Sequence, residues 1–143
     1  MGINELLFLL FIDLQSIYRK NISIDKLTFP QLIALYIIPF NGIEMSLLSK
    51  KIGVEISTLS RLINGLERKK LVNRIPDKKD KRIIRICLSS NSDVIKDRLE
   101  KQIDKIGDVI ESKIKPSQKD NFNNVLSKLH WEIAKALLNN DVV

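Results

Sequence analysis

The sequence predicts a mainly α fold with one small β-hairpin, and three observations predict it. Apolar residues recur three and four apart through most of the 143 residues. Alternation with a period of two appears in one place, around Ile84, Ile86 and Leu88. Hydrophobic residues at 44% and charged residues at 29% are globular values, and no repeat or Gly/Ser linker divides the chain. A single domain over 1–143 is expected.

The elements follow in order. Residues 3–20 read as a first helix, apolar around most of its circumference and so buried on more than one side. Its run Leu6–Ile12 is bounded by Glu5 and Asp13. That run is far short of the ~20 residues of a membrane span, and it lacks the basic leader of a signal peptide. A subunit interface is the simplest place to bury it. Thr28 and Gln31 have capping-box spacing, and Pro30 falls in the first turn of a second helix that ends near Ile38, before Pro39. After an Asn41-Gly42 turn, residues 45–52 form a short helix with Leu47, Leu48 and Ile52 inward, and Gly53 suits a left-handed stop. A fourth helix runs from about Glu55 to Lys70, with Ile56, Leu59, Leu62, Ile63 and Leu66 on one buried stripe. Two helices joined by a tight glycine turn make a helix-turn-helix. Two strands flank the polar loop Pro76–Lys81. Two long helices close the chain, at about 92–114 and 117–138, with continuous apolar seams like those of a helical dimer interface.

Charge is concentrated in one segment. Residues 53–89 hold ten Lys and Arg against four acids, which is +6 of the chain's +7. The remainder is nearly neutral. A polyanionic partner is implied. Ser57, Ser60, Arg61 and Asn64 share the outer face of the fourth helix, with Thr58 beside them. Small hydroxyls let a helix lie deep in a major groove. Arg can fork onto guanine O6 and N7, and Asn can pair with adenine N6 and N7. An ordinary solvated face is the alternative for these residues taken alone; the basic hairpin that follows favours DNA. In that hairpin Arg74, Lys78, Lys79, Lys81 and Arg82 are candidate phosphate or minor-groove contacts. Asp80 can pair with Arg82 and fix its direction.

The stretch Leu27–Leu88 resembles the MarR (multiple antibiotic resistance regulator) family of winged helix-turn-helix transcription factors. Leu27, Thr28 and Gln31 match the family's opening of the second helix. Gly53-Val54-Glu55-Ile56-Ser57-Thr58-Leu59-Ser60-Arg61 matches its recognition-helix pattern, Leu66-Glu67-Arg68-Lys69-Lys70-Leu71-Val72 its helix end, and Asp80-Lys81-Arg82 its wing signature. The resemblance implies a winged lobe over 27–89 and dimerisation helices over 1–26 and 90–143. It also implies a cytoplasmic homodimer on a pseudo-palindromic double-stranded operator, most often as a repressor, released by a small-molecule effector. Phe11, Tyr18 and Tyr36 are candidates to line an effector cleft. Three residues depart from the pattern. Lys70 stands where the family has Gly, so it is strained there or the helix ends differently. Gly65 inside the recognition helix permits close packing or loosens the helix. Ser60 replaces Thr.

Other chemistry is not indicated. The sole cysteine, Cys87, permits no internal disulfide. Peroxide sensors similar to this family carry their reactive Cys in the first helix, which has none here, so Cys87 is read as a passive thiol. His130, the one histidine, and Cys87 form no zinc or nucleophile pattern. Neither a metal, a cofactor nor an enzymatic activity is expected. Trp131 is read as a dimer-core anchor, with a ligand-pocket wall as the alternative. A helical protein–protein adaptor with a basic surface is the competing function.

Overall fold

A computed structural model describes residues 1–24 and 26–140. Helix α1 (Ile3–Asn21) carries Glu5 in its first turn and Arg19 and Lys20 in its last, signs that suit the helix dipole. In the single chain α1 buries none of its residues, and Leu6, Phe8, Leu9, Phe11 and Ile12 remain exposed. The following linker is pinned to α5 (Asp93–Glu111): Gln102 Oε1 accepts from the Ser23 N–H at 2.9 Å, and Gln102 Nε2 donates to the Ser23 carbonyl at 3.0 Å.

Helix α2 (Phe29–Ile37) begins with the capping box read from the sequence. Thr28 Oγ1 accepts from the Gln31 N–H, and the Gln31 side chain accepts from the Thr28 N–H. Helices α3 (Met45–Ile52) and α4 (Ile56–Arg68) form the helix-turn-helix, with Gly53 at φ +78° between them. Gly65 permits close packing. A Cβ there would stand 2.6 Å from Gln31 Nε2, so a side chain would displace the end of the Gln31 side chain from α4.

The end of α4 has the geometry of a glycine stop with a lysine in the glycine's place. Lys70 itself takes the left-handed conformation, at φ +60°. Its N–H donates to the Glu67 carbonyl at 2.8 Å, and the Leu71 N–H donates to the Leu66 carbonyl at 3.0 Å. These are the paired bonds of a Schellman stop. The Lys70 carbonyl then accepts from Ser89 Oγ at 2.6 Å and Asn91 Nδ2 at 3.1 Å.

A hairpin alone was expected, but the sheet has three strands in the order β1-β3-β2, all antiparallel. β1 is Ile43–Glu44, β2 is Val72–Pro76 and β3 is Ile84–Leu88. Ile86 of β3 lies opposite Arg74 on one side and Ile43 on the other. A two-residue strand is too short to show a period, which is why β1 is silent in the sequence. Gly42 brings it into place. At φ +83° it lies so close to β3 that a Cβ would stand 2.7 Å from Cys87 Sγ and 3.0 Å from the Ile86 carbonyl.

The core sits inside the winged lobe. Leu35 and Ile38 from the α2 segment, Leu48 of α3, Leu59, Ile63 and Leu66 of α4, and Val72 and Ile86 of the sheet are fully buried. Each such side chain contributes ~1.5–3 kcal/mol of burial. Ile56 departs from the stripe assigned to it: it is 51% exposed, because the first residue of α4 precedes the point where the helix meets the core. A second, smaller cluster of Ile24, Leu32 and Leu99 joins the lobe to α5. Helix α6 (Lys119–Asn139) buries none of its residues in the single chain, and Phe122, Val125, Leu126, Trp131, Ile133 and Leu137 are exposed.

Candidate nucleic-acid interface

The outer face of α4 exposes Ser57, Thr58 and Arg61, and among the described residues their side chains make no hydrogen bond or ion pair. Ser60 and Asn64, on the same face, are engaged. Arg74 reaches across from β2, and its Nη2 donates to the Ser60 carbonyl at 2.9 Å, Ser60 Oγ at 3.2 Å and Asn64 Oδ1 at 2.7 Å. Arg74 Nε lies 3.3 Å from Glu67 Oε1, an ion pair whose alignment leaves the Nε–H without a hydrogen bond. Arg74 was read from the sequence as a DNA contact. In the structure its guanidinium is turned to the helix, because three oxygens and a carboxylate of α4 lie within its reach. The strand register aims it there, and nothing in a linear sequence shows that aim.

The wing is built by two aspartates. Asp77 Oδ2 accepts from the N–H groups of Lys79 at 2.9 Å and Asp80 at 3.1 Å, closing the tip as an Asx turn. The Asp77 N–H donates to the Ile83 carbonyl at 2.8 Å. Asp80 fixes Arg82 through the expected pair: Arg82 Nε and Nη2 each lie 3.1 Å from a carboxylate oxygen, and the Arg82 N–H donates to Oδ1 at 3.0 Å. The Arg82 side chain nonetheless stays 90% exposed, so it is directed without being covered. Lys78, Lys79 and Lys81 are exposed around it.

Sequence reasoning missed Asp77 and Arg85. Arg85 Nη1 pairs with Asp77 Oδ1 at 3.5 Å, and its Nη2 donates to the Gly42 carbonyl at 3.0 Å, tying the wing to the turn before β1. The Pro-Asp start of the loop was a usable turn signal; the Arg85 bond needs the third strand to be known. The Asp80 and Lys79 N–H groups, aided by Arg85, hold the Asp77 carboxyl below the usual carboxylate range. The Arg82 guanidinium and N–H do the same for Asp80, and Asp80 in turn raises Arg82.

Between α4 and the wing lies a groove of about 510 Å³ lined by Ile56, Ser60, Arg74, Arg82, Ile83 and Ile84, with α3 residues at its edge. A second cleft, of about 440 Å³, lies among α1, α2 and α5 and is mostly apolar, with Tyr18, Phe29, Leu32, Tyr36 and Leu99 in its lining. Of the three cleft candidates the structure brings Tyr18 and Tyr36 together. Phe11 sits elsewhere on exposed α1, against Phe8 at 6.0 Å between ring centroids. It lies almost two turns before Tyr18, so it is carried past the cleft. Trp131 is exposed on α6, under Lys135. Cys87 is half-buried beneath Gly42. Among the described residues no group of three or more His, Cys, Asp or Glu is placed to hold a metal ion, and no helix is long and apolar enough to cross a membrane.

Residues 27–84, the helix-turn-helix and the wing up to β3, match the MarR family model. Over these residues the chain matches the MarR family. Its solved structural likenesses include MepR of S. aureus bound to DNA, with a TM-score of 0.71 at 19% identity, covering 93% of this chain and 99% of that one. FabT of Streptococcus pneumoniae, also in complex with DNA, has a TM-score of 0.69 at 21% identity over 93% of this chain and 96% of that one. The PcaV transcriptional regulator of Streptomyces coelicolor, in complex with its natural ligand, has a TM-score of 0.66 at 18% identity over 91% and 92%. At these identities the likeness is one of fold, and it extends over α1, α5 and α6 as well as the lobe that carries the family motifs. No curated protein sequence matches the chain.

Proposed function

We propose that the protein is a sequence-specific, ligand-responsive transcriptional regulator, a homodimeric repressor of the cytoplasm that binds a pseudo-palindromic operator. One observation carries the reading. Ser57, Thr58 and Arg61 stand unengaged on the exposed face of α4, beside a wing whose Arg82 is held outward by Asp80. That arrangement suits a helix in the major groove with Arg82 toward the neighbouring minor groove, while Lys78, Lys79 and Lys81 meet phosphates. The DNA-bound relatives, MepR and FabT, support it.

Residues 27–89 then form the reading lobe, and 1–26 with 90–143 join two copies. The unburied apolar faces of α1 and α6 supply the joining surface. Two lobes in a two-fold pair would read half-sites one helical turn apart, ~34–36 Å. The mostly apolar cleft with Tyr18 and Tyr36 is the place for an apolar or aromatic effector, and PcaV, of similar fold, was solved with a ligand bound. Such a ligand shifts the lobes only by its differential affinity for their two arrangements.

The test is titration of the purified protein with the intergenic DNA upstream of its own gene and with random DNA, at several salt concentrations. A preference of ~10³ or more for one site is expected. Equal affinity for both would overturn the regulator reading in favour of the adaptor.

A further inference from the structure

We infer that Asn64 reads DNA as a hydrogen-bond donor only, and that Arg74 is the positioning residue that makes it so. The inference rests on the regulator reading and names what one residue of the reading face recognises. A guanidinium has donors and no acceptor, so the atom of the Asn64 amide facing Arg74 must be the oxygen. The bond is short, 2.7 Å, and charge-assisted. Arg74 is itself held by the Ser60 carbonyl at 2.9 Å, Ser60 Oγ at 3.2 Å and the Glu67 carboxylate at 3.3 Å. The amide plane is therefore set from the β2 side. Asn64 is exposed, and its Nδ2 makes no hydrogen bond among the described residues.

The pairing of Asn with adenine needs both ends of the amide on one base edge, Oδ1 accepting from N6 and Nδ2 donating to N7. Here Oδ1 is turned back to Arg74. What remains for DNA is an NH2 group, and the base edge that answers it is guanine, whose N7 and O6 both accept. Adenine presents its own N6 donor against that group. Asn64 thus prefers guanine over adenine, and Arg74 sets this choice without touching a base.

The experiment is selection of binding sites from randomised duplexes with the full chain, comparing the wild type, Arg74→Ala and Asn64→Asp. The wild type should enrich a symmetric site with guanine at the Asn64 position. Arg74→Ala frees the amide to rotate, and that position alone should shift toward adenine by about tenfold. Asn64→Asp keeps the acceptor for Arg74 and loses the donor, so the same position should shift toward cytosine, whose N4 donates. A purely structural role for Arg74 would relax all positions together, and that result overturns the inference. An enriched site unchanged in both variants, or adenine at that position in the wild type, overturns it as well. Should Arg74→Ala fail to fold, Asn64→Asp decides alone: no change at any base pair is refutation. Absence of any enriched sequence for the wild type would instead remove the regulator reading, and this inference with it.

Discussion

Replacing Lys70 by glycine should stabilise the protein. Lys70 is the left-handed residue of the stop that turns α4 into β2, at φ +60°. For a residue with a Cβ that conformation costs ~1–2 kcal/mol. Glycine removes the cost, and its extra freedom in the unfolded chain returns ~0.4–1 kcal/mol. The net gain is ~0.5–1 kcal/mol per protomer. The bonds around the site involve the main chain of residue 70: its N–H to Glu67, and its carbonyl to Ser89 and Asn91. Glycine keeps all of them. With a urea slope of ~2 kcal/mol/M the midpoint should rise by ~0.25–0.5 M. The assay is urea unfolding at one fixed protein concentration, since stability of an oligomer depends on it. Lys70→Ala is the control. It removes the charge and retains the strained Cβ, so it should match the wild type within a few tenths of a kcal/mol. Equal stability of the glycine and alanine variants would refute the reasoning, because it would mean that the left-handed backbone carries no strain worth relieving.

Three other outcomes follow from the geometry. Gly42→Ala should destabilise by ~2–4 kcal/mol, since it adds a Cβ at φ +83° against Cys87 and β3; thermal unfolding checks it, and a neutral result would refute the close approach. Asp77 and Asp80 both have lowered carboxyl pKa values, so their bonds to the wing are fully present above the usual carboxylate range and are lost as pH falls through the lowered values. The Lys79 and Asp80 amide resonances should thus stay fixed from neutral pH down to that range and move below it, whereas a midpoint near neutrality would contradict the assignment. Lys79→Ala should reduce the slope of log affinity against log salt by ~0.9 for each half-site, ~1.8 for the proposed dimer, while weakening all DNA alike, and Arg61→Ala should keep the slope nearer the wild type's and lose ~1–3 kcal/mol of base discrimination at each half-site.

Helices were legible in this sequence because their signals are periodic and local. The Thr28 capping box, the Gly53 stop and the apolar stripes of α4 and α5 are each written within a few turns of chain. The same holds for the Asp80–Arg82 pair, two residues apart. What was hidden depends on contacts between distant segments. β1 exists only because Gly42 lets two residues lie against β3. Arg74 looks like any other basic residue of the hairpin until the register sets its side chain over Ser60 and Asn64. Ile56 fits the apolar period of α4, yet the helix reaches the core one turn later. The identity of the residues on the outer face of α4 was therefore visible, while the division between those that are unengaged and those that are held required the fold.

Helix α1 has one consequence at the scale of the cell. Its apolar residues find no cover within a single chain, and in the proposed homodimer two chains meet to cover them. Where the protein is scarce enough for pairs to separate, the number of complete regulators rises with the square of chain number, and halving expression leaves about a quarter of them. A gene guarded by such a protein would be released sharply by dilution during growth. Unpaired chains, with a bare apolar helix at one end, would be the first to meet proteases and chaperones. A helix outside the winged lobe would then set the threshold at which the outer face of α4 comes into use.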